Sequence, residues 1–153
     1  MIRKDDLNLL QVMLGVRLPE DYQKVLLAYP QWLSILRRDM GWKQESPADR
    51  ELLNDPWQLL KDNHCVRMLR TPWTEDDGPW PDRYFVVGNN ECGDYWTLNL
   101  SEPGSSIYFY DHEKGLFTKQ FDTVDAFADW LAQDIKKWNE TRATKIGDVQ
   151  RID

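Results

Sequence analysis

Tyr84-Phe85-Val86-Val87-Gly88 and, after a short polar break, Cys92-Gly93-Asp94-Tyr95-Trp96-Thr97-Leu98-Asn99-Leu100 decide the fold of this chain. Two strand-like apolar runs flank a polar loop bounded by glycines, which is the order of a hairpin. Trp96, Leu98 and Leu100 alternate with Tyr95, Thr97 and Asn99, as a half-buried strand requires. Downstream, Glu102-Pro103-Gly104-Ser105 carries the residues of a tight turn, and Ile107-Tyr108-Phe109-Tyr110 reads as the next strand. His112-Glu113-Lys114-Gly115 then turns the chain into a strand from Leu116 to Phe121. The expectation is a central antiparallel sheet, a meander of four to six strands.

From Thr123 the apolar period becomes helical. Val124, Phe127, Ala128, Leu131, Ile135 and Trp138 form one stripe, with Asp122 or Thr123 as the cap. Asp125 and Asp129 near its start and Lys136 and Lys137 near its end suit the helix dipole. This amphipathic helix is expected to pack on one sheet face. Beyond Asn139 the sequence turns polar, so residues 1–140 read as a single domain and 141–153 as a polar C-terminal tail that frays.

Upstream of the hairpin the pattern is also helical. Leu7, Leu10 and Leu14 share a face that ends at Gly15, a residue suited to a left-handed helix stop. In Leu18-Pro19-Glu20-Asp21-Tyr22, proline fits a helix first turn and the two acids favour its positive end. The second helix is expected to reach about Tyr29 and to pack Tyr22, Val25, Leu26 and Tyr29 on the first. Further on, Trp32, Leu33, Ile35 and Leu36 have helical spacing, Ser46-Pro47 is loop-like, Pro56 to Lys61 suits a short helix and Cys65 to Leu69 a first strand. The proline-rich stretch from Thr71 to Pro81 reads as an exposed loop. Helices first, then an antiparallel sheet, then a closing helix make the class α+β in one domain.

At 153 residues the chain is long enough to build a core without staples. Two cysteines, Cys65 and Cys92, are too few for a disulfide framework, and the polar start Met1 to Asp6 is no signal region, so a soluble cytoplasmic protein is expected. No apolar run reaches the ~20 residues of a membrane span. A net charge of −7, with basic residues scattered, argues against direct nucleic-acid binding and suits a basic protein partner. Eight tryptophans suggest a tryptophan-rich core.

Leu18-Pro19-Glu20-Asp21-Tyr22, then Val87-Gly88, Cys92-Gly93-Asp94 and finally Thr123-Val124-Asp125-Ala126-Phe127 resemble, in this order, the sequence blocks of the SUKH superfamily. That superfamily includes a fungal cell-wall-synthesis regulator and many bacterial toxin-immunity proteins. The likeness spans about Leu7 to Leu131 and marks Leu18, Pro19, Tyr22, Gly88, Gly93, Asp94 and Phe127 as structural motif positions. Two positions depart from the pattern: Tyr29-Pro30 stands where asparagine-glycine is common, and Asn99 where an acid often ends the strand. The resemblance implies a six-stranded type of α+β domain that uses no cofactor, catalyses nothing and binds another protein. In bacterial relatives that protein is commonly a secreted polymorphic toxin, often a nuclease.

Several residue groups bear on function. Cys92, with His64 or His112 near it, has the ingredients of a nucleophilic site but no hydrolase signature around it. Asp94, Asp111, His112 and Glu113 lack the fixed spacing of a metal site and read as solvated turn carboxylates, Asp94 also as an acceptor for the backbone of its own loop. The candidate partner contacts are Trp73, Glu75, Asp76, Asp77 and Trp80, which combine aromatic anchors with negative charge, and Glu91, Asp111 and Glu113 at the hairpin ends. Against this, Trp73 and Trp80 can instead fold back on the sheet as a lid. The function expected is an immunity protein that covers a basic toxin domain encoded nearby, with an intracellular adaptor or regulator as the alternative.

Overall fold

The computed structural model describes residues 2–29, 52–68, 79–90 and 92–149. Their order is α1 (Lys4–Leu14), α2 (Glu20–Leu27), α3 (Pro56–Met68), β1 (Tyr84–Asn89), β2 (Tyr95–Asn99), β3 (Ile107–Asp111), β4 (Leu116–Phe121) and α4 (Val124–Val149). The four strands form one antiparallel sheet in the order β1-β2-β3-β4, so the class is α+β, with helices before the sheet and one after it.

Local chemistry sets each boundary. α1 stops at Gly15, whose φ of 64° is left-handed and whose amide donates back to Gln11 and Val12. Pro19 stands at the N-cap of α2, one residue before the first turn expected for it, and its carbonyl accepts from Gln23. The α1–α2 link is fixed from both sides, since Leu18 donates to the Gln11 side chain at 2.9 Å and accepts from Gln23 at 2.7 Å. Thr123 caps α4 by accepting from the Ala126 amide at 3.1 Å, while Ser105 accepts from the Val124 amide.

The sheet register places rows of like residues together. Phe85, Leu98, Ile107 and Phe121 lie opposite one another across the strands on the face covered by α4. There Val124, Phe127, Leu131 and Ile135 are buried, which is the expected stripe, and Trp96 packs on Phe127 at 4.7 Å and Phe109 at 4.8 Å. The other face carries Tyr84, Tyr95, Tyr108, Tyr110 and Phe117, joined by Trp80. This second aromatic layer is why Thr97 and Asn99 are buried as well, where simple alternation predicts one open face.

α1 and α2 share the core but not the partner expected. α1 packs chiefly on α3, and the Tyr22, Val25, Leu26 and Tyr29 face of α2 lies toward α4, with Tyr22 edge-on to Phe85 at 6.1 Å. Cys65 to Met68 is not a strand. It is the last turn of α3, because Leu59 and Asn63 set a buried helical face that begins at Pro56 and continues through it. The residues expected to form a helix around Trp32 to Leu36, and the Ser46-Pro47 loop, lie outside the described residues.

β1 is a sheet edge, and the side chain of Asn63 closes it. The amide Nδ2 donates to Val86 O at 2.8 Å and to Leu59 O at 2.9 Å, while Val86 N donates to Oδ1 at 2.8 Å. The Leu53 amide takes the next outward carbonyl, Val87 O, at 2.8 Å, beside a bulge between Val86 and Gly88. α4 runs to Val149, past the Asn139 limit read from the sequence, and its described buried residues end at Ile135. The side chain of Trp138 lies outside the described residues.

Candidate functional site

Two turns meet at one end of the sheet. The β1–β2 loop ends in Asp94 and the β3–β4 turn begins after Asp111, and the Asp94 carboxylate joins them. Its Oδ1 accepts the His112 backbone N–H at 3.0 Å and faces His112 Nδ1 at 2.7 Å, while Oδ2 accepts from Asn90 Nδ2 at 2.6 Å. Asp94 is thus structural, but the backbone donor it holds belongs to the neighbouring turn. Within its own loop the Cys92 and Asp94 amides donate to Asn90 Oδ1. Gly93 has φ 102°, and a Cβ placed there would stand 3.2 Å from His112 Cγ, so both conformation and space call for glycine.

The charges follow from these contacts. Burial pushes the Asp94 carboxyl up, but the bonds from the His112 ring, the His112 amide and Asn90 together outweigh it and hold it below the ordinary carboxylate range. The bond to Asp94 raises His112 against a smaller opposing effect of desolvation. Asp111 pairs with Lys114, whose side chain and backbone N–H both bond it, and this lowers the Asp111 carboxyl. Glu113 is exposed. Of the expected contacts at this end, Asp111 and Glu113 therefore lie together, and Glu91 falls outside the described residues. Cys92 is exposed on the same loop, and among the described residues no cluster of three or more histidine, cysteine, aspartate or glutamate side chains is placed to share a metal ion.

Trp80 takes the folded-back position. Its Nε1 donates to Tyr84 O at 2.9 Å, a carbonyl of the edge strand, and its ring meets Tyr95, Tyr110 and Phe117 edge-on at 5.5, 5.1 and 5.2 Å. Trp73, Glu75, Asp76 and Asp77 lie outside the described residues. Of the tryptophans whose side chains are described, only Trp96 is buried, Trp80 is half-buried, and Trp57 and Trp130 are exposed. Trp57 stands off the Leu59 and Asn63 face of α3, which is why a tryptophan-rich core does not follow from the count.

Sequence reasoning missed one surface. Leu9, Met13, Trp57 and Leu60 line a groove between α1 and α3, with Asp6 at its wall, and Val12 of α1 is exposed as well. Trp57 is 67% exposed and Val12 78%, the most exposed of the large apolar side chains described. The signal is present in α1, which carries Leu9, Val12 and Met13 in addition to the Leu7, Leu10 and Leu14 needed for one buried face. Contiguous exposed apolar residues of this kind, tryptophan and methionine among them, are typical of protein interfaces.

No curated protein and no solved structure matches the chain. Among the described residues no helix is long and apolar enough to cross a membrane. The sequence model of the SMI1 / KNR4 family (SUKH-1) matches residues 1–133, from the start of the chain to the part of α4 that covers the sheet. Leu18, Tyr22 and Phe127 are fully buried, Gly88 is buried at the β1 bulge, and Gly93 and Asp94 build the turn junction. This chain belongs to the SMI1 / KNR4 family (SUKH-1).

Proposed function

We infer that the chain is a non-catalytic, cytoplasmic protein-binding domain that acts as an immunity protein, covering a basic toxin domain encoded nearby. The observation that carries this is membership of SUKH-1, a family commonly made up of immunity proteins and Smi1/Knr4-like domains. Two features of the chain support it. The net charge of −7 favours capture of a cationic surface, such as the phosphate-binding cleft of a nuclease, and speeds encounter. The exposed Leu9, Met13 and Trp57 side chains supply the apolar anchors that charge alone lacks.

Inhibition by coverage needs no reactive side chain, only a surface that competes with the substrate. The test is protection: cells expressing the toxin domain of the adjacent gene survive when this chain is co-expressed and die without it. Failure to protect, with both proteins present and soluble, contradicts the immunity role. An adaptor of the cell-wall-regulator type is the second reading within the same family, and an adjacent gene encoding a client without toxicity, bound by this chain, decides for it.

A further inference from the structure

We propose that Asp94 and His112 form a proton-sensitive latch that fastens the β1–β2 loop to the β3–β4 turn, with its grip falling as His112 loses its proton. The geometry is that of a built junction. One carboxylate takes both the ring Nδ1, at 2.7 Å, and the backbone N–H, at 3.0 Å, of His112, and the Asn90 amide holds its other oxygen. Asn90 in turn accepts from the Cys92 and Asp94 amides, which ties these residues of the loop to Asp94. The ring also packs against Gly93, where a Cβ would stand 3.2 Å from its Cγ.

The charged groups at this junction are Asp94 from the loop and Asp111, Glu113 and Lys114 from the turn. With His112 protonated, three carboxylates stand against two cations, and deprotonation leaves one. The neutral ring still donates Nδ1–H to Asp94, but through a weaker, uncharged bond. The same proton therefore sets the order of the loop and the negative charge offered beside Asp111 and Glu113. His112, held above its ordinary 6.5, contributes stability that is complete below that value and is lost as pH rises through its folded pKa. Asp94, held below 3.8, contributes stability that is lost only as pH falls through its own lowered pKa. The latch is strongest between about pH 4 and 6.5.

The experiment is an NMR titration of the full chain and of Asp94→Asn from pH 5 to 9, following the His112 ring and the loop amides. His112 is expected to titrate above the ordinary 6.5 of a histidine, and the Asn90, Cys92, Gly93 and Asp94 amides to follow the His112 midpoint. Hydrogen-exchange protection of those amides should fall by up to about tenfold for each pH unit by which the His112 midpoint exceeds 6.5. Asp94→Asn should bring His112 back to its ordinary value and abolish the coupled loop response. A His112 midpoint at or below 6.5, loop amides that ignore that midpoint, or an unchanged midpoint in Asp94→Asn overturn the proposal. Should Asp94→Asn fail to fold, His112→Gln decides: loop protection must then lose its pH step, and a step that persists overturns the latch.

Discussion

Replacing Asn63 with alanine should lower the free energy of unfolding by about 2–6 kcal/mol, a loss far larger than its single side-chain amide suggests. Asn63 is completely buried, and its amide stands in for a missing neighbour strand by pairing both the N–H and the C=O of Val86. Truncation leaves those two backbone groups buried without partners, at about 1–3 kcal/mol each. With an m-value of about 2 kcal/mol/M, the urea midpoint should drop by about 1–3 M. Asn63→Asp sharpens the test. An ionised carboxylate keeps the Val86 N–H but faces the Val86 and Leu59 carbonyls, so burial and repulsion raise its folded pKa above the ~3.9 of an unfolded aspartate. Its destabilisation is then greatest above that raised value and is relieved as pH falls through it, since the protonated acid can donate to a carbonyl. Urea melts of both variants between pH 5 and 8 check this. An Asn63→Ala variant within about 0.5 kcal/mol of the wild type refutes the edge-closing role.

Other positions give independent checks. Among the described residues the fully buried Tyr22 hydroxyl has no hydrogen-bond partner, and burial drives its pKa upward, so Tyr22→Phe should match or exceed wild-type stability by up to about 1–3 kcal/mol. A melt showing a loss beyond about 1 kcal/mol contradicts the orphaned hydroxyl. Phe127→Ala empties the aromatic cluster beneath α4, where Trp96, Phe121 and Trp130 all contact the ring, and should lose about 3–5 kcal/mol by denaturant melting. Trp57→Ala should leave the melt within about 0.5 kcal/mol of the wild type, because the side chain is largely in solvent, while weakening partner association measured by calorimetry. An unchanged affinity removes the α1–α3 groove from the interface.

The parts of the fold legible in the sequence are those where one local rule acts unopposed. Gly15, the position of the strand from Tyr95 onward and the Val124 to Ile135 stripe each follow one local signal, and each is found where expected. Cys65 to Met68 misled because a short apolar run fits a strand or a buried helix equally, and the arbiter is Asn63, a polar residue whose buried face is apparent only once β1 stands beside it. Likewise the second aromatic layer depends on Trp80 turning back to Tyr84, a contact that no periodicity encodes. At the candidate site, Asp94 reads from the sequence as an acceptor for the backbone of its own loop, whereas the backbone donor it holds is the His112 N–H. Its tie to His112 was not legible, since the two turns meet only through the β1-β2-β3-β4 strand order.

The central claim, that this chain works by holding and covering another protein, is tested most directly by titrating it calorimetrically into the purified toxin domain of the adjacent gene at two salt concentrations. A saturable complex that weakens as salt rises, and in which the toxin's activity falls in proportion to occupancy, is the predicted result. No heat of association at either salt concentration, with both proteins folded, contradicts it.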